Sequence, residues 1–314
     1  MRSYALGRLA SLLPVLIGVS LLAFSLANLA PGDPAEQALR QGGQEPTEAQ
    51  IEALRRELGL DDPFPVRYVR WLGRAVQGDL GQSYADRRPV SQELARRFPA
   101  TLELAVAAMG LALLVGITGG VVAAIFRDSL FDHACRGVSL VFASLPGFAI
   151  SLVLVYVFAV QLHLLPVAGF GGGDPAHLIL PAIALSAGPA ATLLRLMRSS
   201  LLEIWGQDYV RTARANGLTE PRIVWVHALK NALLPVVTVA ATSFGNMLGG
   251  AAIVEVIFAW PGIGKYVVDS IYARDYPVIQ GFVLWAGVIF VAANLAADLL
   301  YRQLDPRVRL GARA

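Results

Sequence analysis

The sequence predicts an all-α membrane protein with about six transmembrane helices, both termini in the cytoplasm and a long external segment after the first helix. Its mean hydropathy is +0.56 and 16% of its residues are charged, against about a quarter in ordinary soluble domains. Its longest apolar stretches approach the roughly 20 helical residues that cross a bilayer core. The predicted spans are Leu9–Ala30, Leu102–Ile125, Val138–Val160, Leu178–Leu196, Pro235–Phe258 and Val278–Tyr301.

Two of these spans have unusual sequences. The fourth contains Pro181, Gly188 and Pro189 and is predicted to be broken or kinked, with neighbouring helices satisfying the freed backbone groups. The first follows basic residues, as a cleaved signal peptide would. Its apolar run is too long for a signal peptide and no A-x-A cleavage site follows, so we favour a membrane anchor over residues 1–30.

The distribution of Lys and Arg predicts the orientation, because cytoplasmic loops are enriched in these residues. With the N-terminus inside, the stretch 161–177 is external and contains no Lys or Arg, whereas the loop 202–231 is cytoplasmic and basic. We therefore divide the chain into an anchor over 1–30, an external amphipathic segment over 31–100, a five-helix core over 101–301 and a cytoplasmic tail over 302–314.

The external segment is predicted to contain two helices. Thr47 and Gln50 fit a capping box, and Gly59 is placed to end the helix that they begin. The next stretch, DDPFPVRYVRWLGRAV, alternates apolar residues with arginines in the manner of an amphipathic surface helix. This segment could form a landing surface for a soluble external partner or pack as a lid on the helix bundle, and one surface could do both.

The loop 202–231 has the pattern of two helices joined by a tight turn. LLEIWGQDYVRTARAN is predicted to form one helix with Ile204, Tyr209, Val210 and Ala213 along one side. Gly217 suits the left-handed position that closes such a helix. A second helix then begins after Thr219, with Pro221 in its first turn, and leads into the fifth span. A protrusion that is basic on its free side is typical of a helix held in a groove of another protein.

This loop resembles the cytoplasmic coupling motif of ATP-binding-cassette importer permeases, which is written E-A-A, three residues, Gly, nine residues, I-x-L-P. Arg211, Thr212 and Ala213 occupy its first three places, Gly217 its glycine and residues 227–230 its end. Only Ala213, Gly217 and Leu229 match the general form. The departures, RTARANGL and HALKNALLP, resemble the peptide and nickel branch of that superfamily.

Other stretches support the same branch in the same order along the chain. They are APGDPA after the first span, FPATLELA at the second, FAWPGIGKYVVDSIYARDYPVIQG between the fifth and sixth, and LDPRVR in the tail. The resemblance therefore covers nearly the whole sequence and implies the fold of a type I importer permease.

The resemblance also implies partners. This chain would pair with a second homologous permease as a heterodimer, receive cargo from an external substrate-binding protein and contact two ATPase subunits, in the inner membrane of a bacterial-type cell with lipid around it. ATP and Mg would be bound by the ATPases, leaving no cofactor, metal or nucleic acid for this chain. The expected ATPase-coupling residues are Tyr209, Arg211, Ala213, Arg214, Gly217 and Leu229.

The sequence lacks a phosphate-binding loop of its own, in agreement with this expectation. GIGKY is the nearest candidate, but the pattern G-x-x-x-x-G-K-[ST] requires a glycine where Ala259 stands and a hydroxyl where Tyr266 stands. Di- and oligopeptides are the first choice of cargo, and nickel or a metal chelate is the alternative within the family.

Polar residues near the fifth span are candidates for the translocation pathway. Glu255 and Asn246 are expected there because ionisable and polar groups inside a membrane usually face a cavity or a partner. Alternatively, Glu255 caps a helix end or pairs with Lys265 or Arg274. The G-x-x-x-G spacings at 116–120 and 245–249 predict close helix packing.

Two other classes of function fit the sequence less well. An intramembrane enzyme would need a catalytic constellation, and neither H-E-x-x-H, G-x-S-x-G nor an Asp pair at suitable spacing is present. A channel or proton-coupled carrier acting alone would show more ionisable residues at mid-membrane depth and inverted repeats. The two histidines at 163 and 177 make a poor metal site. The sequence thus favours a transport subunit without bond chemistry.

Overall fold

The computed structural model describes residues 2–29, 33–40 and 45–304, and the predicted all-α class is confirmed. Within these residues β pairing is limited to an isolated bridge between Gln82 and Pro89. The α-helices are α1 Arg2–Leu29, α2 Pro34–Arg40, α3 Glu48–Glu57, α4 Phe64–Val76, α5 Val90–Ile125, α6 Leu130–Ser144, α7 Gly147–Leu154, α8 Ala176–Trp205, α9 Asp208–Ala215, α10 Glu220–Arg222, α11 Leu229–Gly250, α12 Ala252–Ile257, α13 Ile263–Tyr272 and α14 Tyr276–Leu304. Two π-helical segments, Val155–Gln161 and Ile223–Ala228, continue α7 and α10.

The chain folds as two compact units. The first comprises the described residues up to Thr101 together with Pro261–Val291, and the second comprises Leu102–Trp260 together with the described residues from Ala292. In the second unit α8 is central, because α6, α7 and α11 all pack against it, and α12 packs on α7. Most of the buried side chains on α8 are small or aliphatic, which allows this close packing.

Four helices in the described part of the chain are long and apolar enough to cross a membrane: Val90–Ile125, Ala176–Trp205, Ile223–Gly249 and Tyr276–Leu295. A bent pair formed by α6 and the helix that follows it makes up to five. The apolar stretch found in α1, Pro14–Leu26, is shorter than these. The total of six spans therefore stays a prediction.

The third and fourth predicted spans differ from expectation in opposite ways. The helical pair Leu130–Ser144 and Gly147–Gln161 bends by 107°, so 138–160 does not form one straight span. Pro146 explains the bend, because it removes a backbone donor and forces Leu145 into an extended conformation (φ −79°, ψ 132°). By contrast α8 is one continuous helix through Pro181 and Pro189, so the predicted break is wrong, and a kink at these prolines stays a prediction. Buried residues along α8 stabilise it where each proline removes a hydrogen bond.

The fifth predicted span ends early. It stops at Gly250, and the residues expected to complete it form the separate helix α12. The predicted close approach of small residues is confirmed at Gly116 and Gly120, where an added Cβ would lie 2.6 Å from the Cβ atoms of Leu193 and Met197 on α8. It is wrong at Gly249, where an added Cβ would meet nothing within 4 Å.

Both helices predicted in the external segment form. The Thr47 N–H donates to Gln50 Oε1 at 2.9 Å at the start of α3, and Gly59 follows its end with φ +64°. Helix α4 packs against α1, where Phe24 makes a ring contact with Trp71 at 5.5 Å between centroids and Ser20 hydrogen-bonds the Tyr68 hydroxyl at 2.8 Å. The segment is therefore fastened to the first helix. Its role as a landing surface stays a prediction.

Candidate coupling site

The loop 202–231 is built around a short helix whose apolar side is buried. In α9, Val210 is fully buried and Ala213 nearly so, and both contact Ile223 from the helix that follows. Ile204, Trp205 and Leu218 cover this cluster. The apolar residues hold α9 in a fixed position, so its opposite side is presented by a rigid support.

The prediction of one helix over LLEIWGQDYVRTARAN is wrong. Helix α8 ends at Trp205, the chain turns at Gly206, and Gln207 is extended (φ −75°, ψ 149°) before α9 begins. A glycine costs about 1 kcal/mol in a helix interior relative to alanine, and the turn allows Val210 to reach the buried cluster. Tyr209 is 43% exposed, so its predicted place on the apolar side is also wrong. Its hydroxyl accepts from Asn231 Nδ2 at 3.1 Å.

Gly217 adopts the left-handed conformation that the sequence predicts, with φ +76°. Its N–H donates to the Arg214 carbonyl at 2.9 Å, and the Leu218 N–H donates to the Ala213 carbonyl at 3.2 Å. These two bonds form a Schellman motif at the end of α9. An added Cβ would meet nothing within 4 Å, so glycine is required here by backbone conformation and not by lack of space.

The two predicted docking arginines have different surroundings. Arg214 makes a bidentate ion pair with Glu220 across the turn, with the shorter contact at 2.6 Å. This pair raises the pKa of Arg214 and lowers the pKa of the Glu220 carboxyl. A lowered carboxyl pKa means that the contribution of the pair to stability is present above the ordinary carboxyl range and is lost as pH falls through the folded-state pKa. The Arg211 side chain is 71% exposed and lies 3.4 Å from Asp208, so it is the arginine available to a partner.

The second helix of the loop begins where predicted but is irregular. Thr219 occupies the N-cap position without a side-chain capping bond, and α10 passes into a π-helical segment before α11. Trp225 and Val226 in this segment are 62% and 58% exposed, while Leu229 is partly buried. A cavity of about 420 Å³ lies beside them, lined by Ile125, Trp205, Arg214, Glu220, Val224 and Trp225.

The exposed pair Trp225 and Val226 is absent from the sequence-predicted site. The signal was present in the run IVWV, because four consecutive apolar residues cannot all face the same side of a helix. Exposed tryptophan is enriched at protein interfaces. Both residues, however, lie within the candidate membrane span Ile223–Gly249, directly after α10, so their exposure alone does not assign them to the coupling surface.

The candidate pathway residues lie elsewhere in the second unit. Glu255 is fully buried in α12, and its carbonyl accepts from the Trp260 N–H at 2.8 Å, whereas Asn246 is exposed on α11. Their part in a pathway or gate stays a prediction. In the glycine-rich loop, His177 Nδ1 lies 3.1 Å from the Gly169 carbonyl oxygen.

A helical bundle with several apolar helices long enough to cross a bilayer is typical of an integral membrane protein. Residues 116–310 match the family model described as binding-protein-dependent transport system inner membrane component, and residues 1–105 match the model for the N-terminal part of such membrane components. The chain belongs to the family of inner-membrane components of binding-protein-dependent transport systems.

Curated relatives cover almost the entire chain. The dipeptide transport system permease DppB of Escherichia coli K12 is 42% identical over 98% of this chain and 99% of its own. The di/tripeptide permease DppB of Pseudomonas aeruginosa is also 42% identical, and the glutathione permease GsiC of Escherichia coli is 40% identical, each over 98% of this chain and 99% of the relative.

Solved structures show the same fold at lower identity. The MetNI methionine ABC transporter in an inward-facing conformation gives a TM-score of 0.56 at 21% identity, over 68% of this chain and 96% of that chain. An amino acid ABC transporter with histidines gives 0.52 at 18% identity, over 68% and 94%.

The comparisons confirm the main functional predictions. The chain is a multi-pass permease subunit of an ATP-binding-cassette importer in the inner membrane, and it is a transport component and not an enzyme. A binding-protein-dependent system implies ATPase subunits and a substrate-binding protein as partners. The predicted resemblance to the peptide branch is confirmed as well.

Proposed function

We propose that this chain forms half of the translocation pathway for di- and oligopeptides, paired with a second homologous permease, and that the ATPase subunits bind α9 and the turn at Gly217. The cargo is inferred from the relatives, whose names specify dipeptides, di/tripeptides and glutathione. All three named substrates are peptides, so we prefer a peptide cargo to the nickel alternative.

The coupling role is supported by the difference between the two sides of α9. One side is buried through Val210 and Ala213, and the other presents the exposed Arg211. A force applied to the exposed side of α9 is transmitted to the helices packed against its buried side, because a packed core deforms little. ATP and Mg are assigned to the partner ATPases.

A comparison of two substitutions at one position tests this proposal. Valine at Gly217 is strained by a positive φ, at a cost on the order of 1 kcal/mol or more, whereas asparagine tolerates the left-handed region. We expect Gly217→Val to weaken ATPase association and to reduce ATP-driven uptake of a labelled dipeptide by proteoliposomes that contain the whole transporter and its binding protein. Gly217→Asn should retain most of both activities.

Matched measurements distinguish the coupling role from a general defect. Gly206→Ala serves as the control in the same loop, because Gly206 has an ordinary φ of −78° and an added Cβ makes only a 3.4 Å contact. Equal uptake by the Val, Asn and control proteins would show that the turn only connects two helices. If the unmodified transporter takes up nickel and not the dipeptide, the proposed peptide cargo is wrong. The result for the coupling role would still hold.

A further inference from the structure

Helix α4 belongs to the predicted external segment, yet it packs against the apolar part of α1. The Phe24 ring contacts Phe64 at 5.3 Å and Tyr68 at 5.6 Å between centroids. The Tyr68 hydroxyl lies 2.8 Å from the Ser20 hydroxyl and 3.5 Å from the Ile17 carbonyl oxygen. This stretch of α1 is inside the first predicted span, so the depth of α4 in the membrane follows from the depth of α1.

A second helix gives that depth independently. Residues Tyr276–Leu295 of α14 are long and apolar enough to cross a membrane. Gly287 faces α1, because an added Cβ there would lie 3.4 Å from Val19 Cγ1 and 3.7 Å from Leu16 Cδ2. At the rise of an α-helix, Gly287 is about 16 Å from Tyr276 along the axis, close to half of the roughly 30 Å hydrocarbon layer. Val19 therefore lies near the middle of the bilayer.

The aromatic contacts then place α4 below the membrane surface. Phe24 is roughly 8 Å nearer the external end of α1 than Val19, which leaves it about 8 Å inside the hydrocarbon layer. The sequence of α1 gives a similar value, because Phe24 precedes the end of the predicted span at Ala30 by about 9 Å of helix. Both values agree with the depth of about 5–10 Å at which amphipathic helices insert their apolar face.

The face of α4 opposite α1 is apolar throughout. At 100° per residue it consists of Pro65, Val66, Val69, Gly73 and Val76. The three valines are 46%, 66% and 81% exposed, and an added Cβ at Gly73 would meet nothing within 4 Å. Helix contacts inside membranes are enriched in small residues, whereas this face carries three β-branched ones. Its composition therefore favours lipid over another helix.

The arginines of α4 lie outside that face. Arg67, Arg70 and Arg74 line a cavity of about 460 Å³ that also contains the polar side chains of Asn28 and Gln280. Arg67 donates to the Asn28 side-chain oxygen, and Arg70 makes an ion pair at 2.8 Å. Charged groups at membrane depth are tolerated where they face a polar cavity or extend to the interface. The three arginines are thus compatible with a helix that is inserted by its valine face.

We propose that α4 lies within the membrane leaflet at the external end of α1, with Val66 and Val69 in contact with lipid acyl chains. The helix is fastened on one side by the rings around Phe24 and is covered on the other side by lipid. Its arginines stay on the polar side, towards the cavity. This position of α4 is independent of the cargo and of the coupling role.

Spin labelling of the whole transporter in proteoliposomes tests the position of α4. A nitroxide is attached at Val69→Cys in a Cys135→Ser background, with the other subunits free of reactive cysteine. Its collisions with oxygen, which dissolves in acyl chains, are compared with its collisions with a water-soluble nickel chelate. We expect the oxygen-to-nickel collision ratio to exceed that at Glu52→Cys by at least about tenfold, because polar solutes are strongly excluded from hydrocarbon. Val66→Cys should give the same result.

Two control positions calibrate the ratio. Glu52 on α3 has a side chain that is 66% exposed and reports the aqueous value. Leu22 on α1 is 64% exposed and lies close to the level of Val19, so Leu22→Cys should report lipid. Size-exclusion chromatography checks that each labelled transporter is assembled.

Three results would overturn the proposal. A ratio at Val69→Cys equal to that at Glu52→Cys would place α4 in water. Slow collisions with both reagents would show that protein covers the valine face, either the second permease or the binding protein. An aqueous ratio at Leu22→Cys would show that α1 does not cross the membrane at the depth from which the position of α4 is inferred.

Discussion

Two glycines of α5 show how surroundings determine the effect of one added methyl group. At Gly120 an added Cβ would lie 2.6 Å from Met197 Cβ and 2.7 Å from the Leu194 carbonyl oxygen, whereas at Gly110 it would meet nothing within 4 Å. At Gly120 the added methyl group would press against the backbone of α8, which cannot move aside easily. The site at Gly110 is open.

We predict opposite results for alanine at these two positions. Gly120→Ala should destabilise the chain by about 1–3 kcal/mol through overpacking, and Gly110→Ala should be neutral or stabilising by up to about 1 kcal/mol through helix propensity. Thermal unfolding in detergent, followed by size-exclusion chromatography, measures both. Equal melting temperatures for the two variants would show that α5 and α8 are not held at this distance.

At the scale of the element, an ion pair joins α6 to α8. Asp132 is fully buried and accepts from Arg198 Nε and Nη2, both at 2.6 Å, and from the Asp128 N–H at 3.0 Å. The Arg136 guanidinium is more distant, at 3.8 Å, and its side chain is 45% exposed. The Arg198 interaction therefore dominates the contact between the two helices at this end.

We predict that Asp132→Asn destabilises the chain by roughly 3–5 kcal/mol, because it leaves the Arg198 charge buried without a counter-ion. Arg136→Gln is the control and should cost less than about 1 kcal/mol, as exposed pairs do. The double substitution Asp132→Leu with Arg198→Met should be closer to wild type than Asp132→Asn, since no charge is left unpaired. A double-mutant cycle on thermal unfolding measures the coupling. If the effects of the two single substitutions add up to the effect of the double substitution, Asp132 and Arg198 are not coupled.

Local signals in the sequence were sufficient to predict where α3 and α9 end and that Val210 and Ala213 lie on the apolar side of α9. Gly59 and Gly217 end their helices as predicted, and Val210 and Ala213 are buried, since each depends on residues within one or two turns. The Arg214 pair with Glu220 was missed because the turn must form before these side chains meet.

The prolines show where local information stops. Pro146 separates two helices and Pro189 lies inside a continuous one, although both have the same covalent restriction. The difference arises from packing, since α8 is surrounded by α6, α7 and α11. Packing partners that are distant in sequence cannot be read from a single chain without the fold.

At the scale of the whole molecule, the orientation in the membrane is open to a direct test. The positive-inside rule places the loop 202–231 in the cytoplasm and the segment 31–100 outside. Cys135 is the single cysteine, so a Cys135→Ser background permits labelling at chosen positions. Both Glu52 and Arg211 have highly exposed side chains and suit this purpose.

We predict that an impermeant thiol reagent added to intact cells labels Glu52→Cys and spares Arg211→Cys, which becomes reactive only after permeabilisation. Asp174→Cys, in the glycine-rich loop, should behave like Glu52→Cys. Labelling of position 211 in sealed cells, with none at 52, would reverse the orientation.

The ion pair between Asp132 and Arg198 also constrains the order of events during synthesis. The two residues are 66 positions apart, so the carboxylate leaves the ribosome well before its partner. At about 5–20 residues per second, this interval is roughly 3–13 s. Until Arg198 arrives, Asp132 cannot be buried without a large penalty. We therefore expect the start of α6 to stay at the aqueous boundary, and its final docking to follow only once α8 has been translated.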